Sequence, residues 1–307
     1  MASDGKAAAR KHPFRRALDN PVILKELRGR MRGRQAFILL TVYLGLIALF
    51  IVLIYNAVFG VESLTWDPSS RQIAGKVIFG TVVLLELLLL SFIAPGLTAG
   101  AITAERERQT FDLLRTTLLS ARSLVLGKLG SAFSYLLLLI LTALPIQSLA
   151  FLLGGVGLGE LVVSGVMLVV TAIFFCTLGL FFSSFMKRTL PATVSSYAAI
   201  LGSFLVLIMI FFLIAYFEST SFGSNSVREY MLTVAIWVLI STNPFMAAVM
   251  SEVILVDEQS LFLTNSPLFG SSSLTLPSPW IIYVLFYLGL TFIMIIISIY
   301  NVKRPDR

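Results

Sequence analysis

Six long apolar runs set the terms for this chain: Ala36 to Phe59, Val77 to Leu97, Leu129 to Leu153, Leu161 to Phe185, Leu190 to Phe217 and Trp280 to Tyr300. A helix needs roughly 20 apolar residues to cross the hydrocarbon core of a bilayer, and each run is long enough. Of 307 residues, 57% are hydrophobic and 13% charged, whereas a soluble domain sits nearer a quarter charged. That balance excludes an ordinary water-soluble enzyme and a disordered chain. A single cysteine, Cys176, excludes a disulfide-stapled secreted domain. The first 35 residues are polar and basic, and nothing in them resembles a cleavable signal.

The net charge is +7, from 23 Lys+Arg against 16 Asp+Glu. In so apolar a chain this excess reads as topology. Ten cations precede the first run, five (Arg106, Arg108, Arg115, Arg122, Lys128) lie between runs two and three, two (Lys187, Arg188) between four and five, and three (Lys303, Arg304, Arg307) after the last. The intervening loops hold only Arg71, Lys76 and Arg228, against eight acids. The positive-inside rule then places both termini in the cytoplasm and requires an even number of spans. The expected location is a bacterial or archaeal cytoplasmic membrane, crossed several times.

Parity bears on residues 230–256, which are apolar enough to make a seventh span but are broken at Ser241-Thr242-Asn243-Pro244. Proline removes a backbone donor and biases its predecessor away from helix. Each half is too short to cross alone. The expectation is a broken helix that dips into the outer leaflet and returns; the alternative is one kinked span. Broken backbone at membrane depth is tolerated where protein or a wet cavity covers it.

Two cytoplasmic segments are neither span nor tight turn. In Asn20 to Arg34, Asn20 suits an N-cap and Pro21 a first helical position. Ile23, Leu27 and Met31 fall on one face, and Lys25, Arg28 and Arg32 on the other. The pattern predicts an amphipathic helix lying on the inner membrane surface, either as an anchor or as a partner contact. The other segment, Gly96 to Lys128, alternates charge at Glu105-Arg106-Glu107-Arg108, with Arg108 spaced to pair with Glu105 or Asp112 along a helix. Phe111, Leu113, Leu114 and Leu118 follow as an apolar knob. Such a knob must pack on the membrane surface, on the protein itself or on another chain.

Together these motifs resemble the permease subunits of ATP-binding-cassette exporters of the type-2 family. The residues that carry the resemblance are Asn20-Pro21-Val22 with Lys25-Glu26-Leu27-Arg28, then Ala99 to Ile102, Glu105 to Arg108, Thr110, Leu113-Leu114, Thr117, Leu119-Ser120 and Leu124 to Lys128. Where many members of that family carry glycine, this chain has Gln109. The resemblance implies an all-α membrane protein. It would have six transmembrane helices, an N-terminal interface helix, a cytoplasmic coupling helix between spans two and three, and a re-entrant broken helix between spans five and six. It implies that the chain binds no ATP, and that ATP and Mg belong to a separate ATPase subunit present in two copies. A second permease chain, the same or related, would complete the pathway. The ATPase contacts would be Glu105, Arg106, Glu107, Arg108, Thr110, Phe111, Leu113, Leu114 and Thr117. Lys25, Glu26, Arg28 and Arg32 would serve on the interface helix.

The layout expected is a basic tail (1–19), the interface helix (20–35), a transmembrane domain (36–301) with a coupling loop (98–128) and an outer segment (218–279), and a short tail (302–307). No GxxxxGK[ST] phosphate loop occurs, and Gly154 to Gly159 reads as a hairpin between spans three and four. One Cys and one His build no ordinary metal site, and no Ser/His/Asp set lies in reach, so neither catalytic residues nor metal ligands are expected. Glu86 lies mid-span, where an ionised carboxylate costs at least ~2.5 kcal/mol unless protein or water receives it. It is a candidate pathway residue, or else a bond between helices. Asn243 and Pro244 are candidate gate residues. Residues 264–279 are rich in Ser and Pro and read as loop. The rival class is a standalone membrane protein, either a secondary transporter or a scaffold. A transporter of that kind should show inverted repeats and more midplane charge than Glu86 alone.

Overall fold

A computed structural model describes residues 26, 29, 33–59, 68–111, 120–219, 226–258, 261–265 and 275–303. In order they form α1 (Arg34–Phe59), α2 (Pro68–Thr98), α3 (Thr103–Glu107), α4 (Ala121–Leu153), α5 (Leu158–Phe185), α6 (Thr189–Ser219), α7 (Ser226–Thr242), α8 (Pro244–Glu258), β1 (Leu263–Asn265), β2 (Thr275–Pro277) and α9 (Pro279–Lys303). Among the described residues, six helices are long and apolar enough to cross a membrane: α1, α2, α4, α5, α6 and α9. The chain is therefore an all-α protein of multi-pass membrane type. Several helices extend past the apolar runs. α2 starts at Pro68, and α4 starts at Ala121 because Ser120 caps it, its hydroxyl accepting from the Ser123 amide at 3.2 Å.

α5 is the most enclosed helix, wedged between α2 and α9, and α1 is the least. Small residues set the closest approach. A Cβ at Gly179 of α5 would overlap Thr98 Oγ1 and stand 3.0 Å from Pro95 Cα on α2. Without a water-driven hydrophobic force between helices, such close backbone packing is how spans associate. The glycine-rich link before α5 is a turn, as expected. Gly155 has φ +96°, and a Cβ there would meet the Gln72 carbonyl oxygen. Residues 263–277 are not wholly loop. β1 and β2 pair antiparallel, with Thr264 opposite Leu276. The β-branched Thr264 and Thr275 fit a short ribbon, and the Ser and Pro content had hidden it.

The break between α7 and α8 bends the chain by 111°, so the second helix turns back on the first. Pro244 sits at the first position of α8, where its missing N–H costs nothing. Asn243 is the N-cap, its side-chain oxygen accepting from the amides of Phe245 (3.0 Å) and Met246 (3.2 Å). The break that the sequence marked is thus a designed helix start.

Candidate functional site

The four alternating charges after α2 each find a different destination. Glu105 Oε1 accepts from Lys128 Nζ of α4 at 2.7 Å. The same ammonium donates to Glu26 Oε1 at 3.0 Å, and Ser131 Oγ donates to Glu26 Oε2 at 3.0 Å. Arg106 Nη1 donates to the Met186 carbonyl, 2.9 Å away, between α5 and α6. Glu107 takes both the amide (2.8 Å) and the hydroxyl (2.9 Å) of Thr189, the first residue of α6. Arg108 is exposed. Behind them, Ser183 Oγ of α5 accepts from the amides of Ile102 (2.9 Å) and Thr103 (3.2 Å). One five-residue helix is therefore bonded to α4, α5, α6 and, through Lys128, to Glu26 of the N-terminal segment.

The physical reasons are local. A short helix cannot satisfy its own termini, so its first amides turn to Ser183. Thr110 closes the other end, its amide and hydroxyl both donating to the Glu105 carbonyl, at 3.0 and 3.2 Å. Gln109 makes the turn at φ +57°, a region that costs an ordinary residue roughly 1–2 kcal/mol. Gln109→Gly should accordingly raise stability by about 0.5–1 kcal/mol. Hydrogen exchange of amides 103–110 would show slower opening in that variant; faster opening would mean that the Gln109 side chain makes a contact worth more than the strain. The carboxyl of Glu107 is held below the usual range chiefly by its bond to the Thr189 backbone, then by the Thr189 hydroxyl, with Arg188 adding a further pull. Its capping contribution is therefore complete above the ordinary carboxylate range and is lost as pH falls through the depressed value.

One expectation is corrected here. Glu105 is spaced to pair with Arg108, yet it serves Lys128 instead. Of the three covers open to the apolar residues that follow, Phe111 takes the protein itself. It is 3% exposed, packed in the core, with the Arg106 guanidinium 5.1 Å from its ring centroid. Of the expected contacts, Glu107, Arg108 and Thr110 stand at the surface. Leu113, Leu114 and Thr117 lie outside the described residues, as do Lys25, Arg28 and Arg32 of the interface helix. Glu26 is described, is helical and joins the cluster.

Sequence reasoning missed Lys128 as the centre of this cluster. Reading cations as orientation marks gave it only a side of the membrane, whereas it is 4% exposed. Its position was the signal: a lone ammonium inside the apolar LVLGKLG stretch needs an anion, and the chain offers few. A cavity of about 470 Å³ opens beside it, lined in part by Glu26, Ala36, Leu97, Lys128 and Tyr135.

Glu86 is fully enclosed, and its Oε2 accepts from Gln147 Nε2 of α4 at 2.8 Å. The carboxyl joins α2 to α4. That fits the bond between helices better than a residue lining a passage. Asn243 and Pro244 do lie at the turn of the broken helix. Asn243 Nδ2 donates to the Ser203 carbonyl of α6 at 2.8 Å, Phe245 stacks on Phe204 with centroids 4.7 Å apart, and Tyr287 of α9 donates to the Thr242 carbonyl at 2.9 Å. Asn243→Ala removes both the cap and the bond to α6, and should cost about 2 kcal/mol. Thermal unfolding in detergent checks this, and an unchanged midpoint would show that the turn holds without its asparagine. Comparison with protein-family models and with curated proteins gives no match for this chain.

Proposed function

We propose that this chain is the transmembrane permease subunit of an ATP-driven exporter. Two such chains, or this one and a related one, form the pathway, and two separate ATPase subunits bind ATP and Mg and do the hydrolysis. The observation that carries the reading is the wiring of α3. A cytoplasmic helix of five residues bonded to α4, α5, α6 and the N-terminal segment suits one task above others, which is to pass displacement at one surface element to several spans. A loop that merely joined two spans would need none of these bonds.

In this reading the ATPases close on ATP, push on the segment from Glu105 through Leu114, and shift the inner ends of α4 to α6. The broken helix α7–α8 is a re-entrant gate on the outer side, and an amphipathic cargo leaves past it. Phe111 acts from within, bracing the segment through Arg106, so the gripping surface is formed by Glu107, Arg108 and Thr110 with Leu113 and Leu114. The test is purification from native membranes of the wild type and of Leu113→Asp with Leu114→Asp. The wild type should carry a polypeptide with a GxxxxGK[ST] loop, and the variant should lose it. Retention of that subunit and of transport by the variant would overturn the docking role.

A further inference from the structure

The link between α5 and α6 is three residues long, Met186-Lys187-Arg188. Both flanking helices are long and apolar enough to cross a membrane. A link that short between two crossing helices must lie at a bilayer surface, whichever surface that is. We propose that this tip is a binding site for the phosphate headgroup of an anionic phospholipid, with Lys187 and Arg188 as its ligands.

Several features point to a lipid. Lys187 and Arg188 are both exposed. Phe185 and Leu190, two positions before and two after the pair, are 66% and 75% exposed. Apolar side chains in this state suit acyl chains, with the cations at the height of the headgroups. The tip is also held in one geometry. Arg106 grips the Met186 carbonyl and Glu107 grips the Thr189 amide and hydroxyl, so the backbone on both sides of the two cations is fixed from the same neighbouring segment. That clamp reduces the ordering cost of binding. Glu107 also occupies the start of α6, leaving the cations and not the helix terminus as the ligands. At the tip itself Lys187 and Arg188 are two cations, and the nearby Glu107 carboxylate, which Arg188 helps to stabilise, already accepts from the Thr189 amide and hydroxyl, so the local field favours an anion. Arginine offers a phosphate two parallel donors. An acidic protein surface would satisfy the charges but leave Phe185 and Leu190 uncovered.

The inference rests on the two helices crossing a membrane and not on an ATPase partner. Its consequence is that lipid charge bears on the Arg106 and Glu107 clamp, and so on the position of α3.

The test uses the full chain in nanodiscs of phosphatidylglycerol mixed with phosphatidylcholine, with native mass spectrometry counting the retained lipids. Two cations near an anionic surface should favour phosphatidylglycerol roughly thirtyfold, which is about 2 kcal/mol at 1.4 kcal/mol per tenfold. Lys187→Gln with Arg188→Gln should bring that preference close to parity. Lys187→Arg with Arg188→Lys keeps both charges and should keep the preference, which separates lost binding from lost folding. Arg122→Gln, at another exposed cation in the first turn of α4, should leave it intact. A preference untouched by the double Gln variant, or reduced equally by Arg122→Gln, would overturn the site. So would release of the lipid by millimolar inorganic phosphate, which would mark a free-phosphate site. Carbodiimide coupling of Lys187 to a protein carboxylate in native membranes would assign the tip to an acidic partner and overturn it too.

Discussion

Lys128→Met should destabilise the protein by about 3 kcal/mol, since removing one member of a buried ion cluster leaves its partners uncompensated. The ammonium is 5% exposed in its side chain and both carboxylates 23%, so the expectation sits at the low end of the range for buried pairs. Glu26 and Glu105 would be left facing each other, with Ser131 the remaining donor to Glu26 among the described residues. In thermal unfolding the midpoint should fall by on the order of 5 °C. Adding Glu26→Gln and Glu105→Gln to Lys128→Met should recover most of that loss, because a neutral cluster of similar shape carries no stranded charge. A Lys128→Met midpoint equal to wild type would mean that the three groups are solvated, and that α3 is not fixed to α4.

Gly179→Val should cost about 3 kcal/mol, the upper end for overpacking. The reason is geometric. The first side-chain carbon already overlaps Thr98 Oγ1 and reaches Pro95 Cα at 3.0 Å and Ala99 N at 3.2 Å. Two of these neighbours are backbone atoms, which cannot rotate away. α2 and α5 would have to separate along a contact that also carries the Ser183 bonds to Ile102 and Thr103. Thr98→Ala should return only part of the loss, since it clears the hydroxyl and leaves the backbone contacts. Reduced yield of monodisperse protein and a lower unfolding midpoint are the readouts. A well-folded Gly179→Val variant at the wild-type midpoint would contradict the packing.

What the sequence made legible follows from what each signal measures. Apolar run length reports transfer from water, and it located all six long helices. Asn243-Pro244 reports backbone chemistry, and the helix start lies there. The helix ends were read less well, because polar residues such as Pro68 to Arg71 continue a helix once its first turns exist. The charges of Glu105 to Glu107 stood out in the sequence, but their partners did not. Helical spacing describes neighbours along one helix, whereas Lys128, Met186 and Thr189 reach α3 only through the packing of α2 against α4 and α5. Phe111 shows the same limit. Its apolar character required cover, and only the fold decides that the cover is the protein's own core.

The most direct measurement is site-specific crosslinking at Thr110, which is exposed beside α3. Thr110→Cys, labelled with a short photoreactive group in native membranes, should yield an adduct with a polypeptide that carries a GxxxxGK[ST] loop. The yield should change on adding ATP, since the permease reading has the ATPases move against this segment. Adducts confined to lipid or to the chain itself, with no such polypeptide and no response to ATP, would contradict a permease driven through α3.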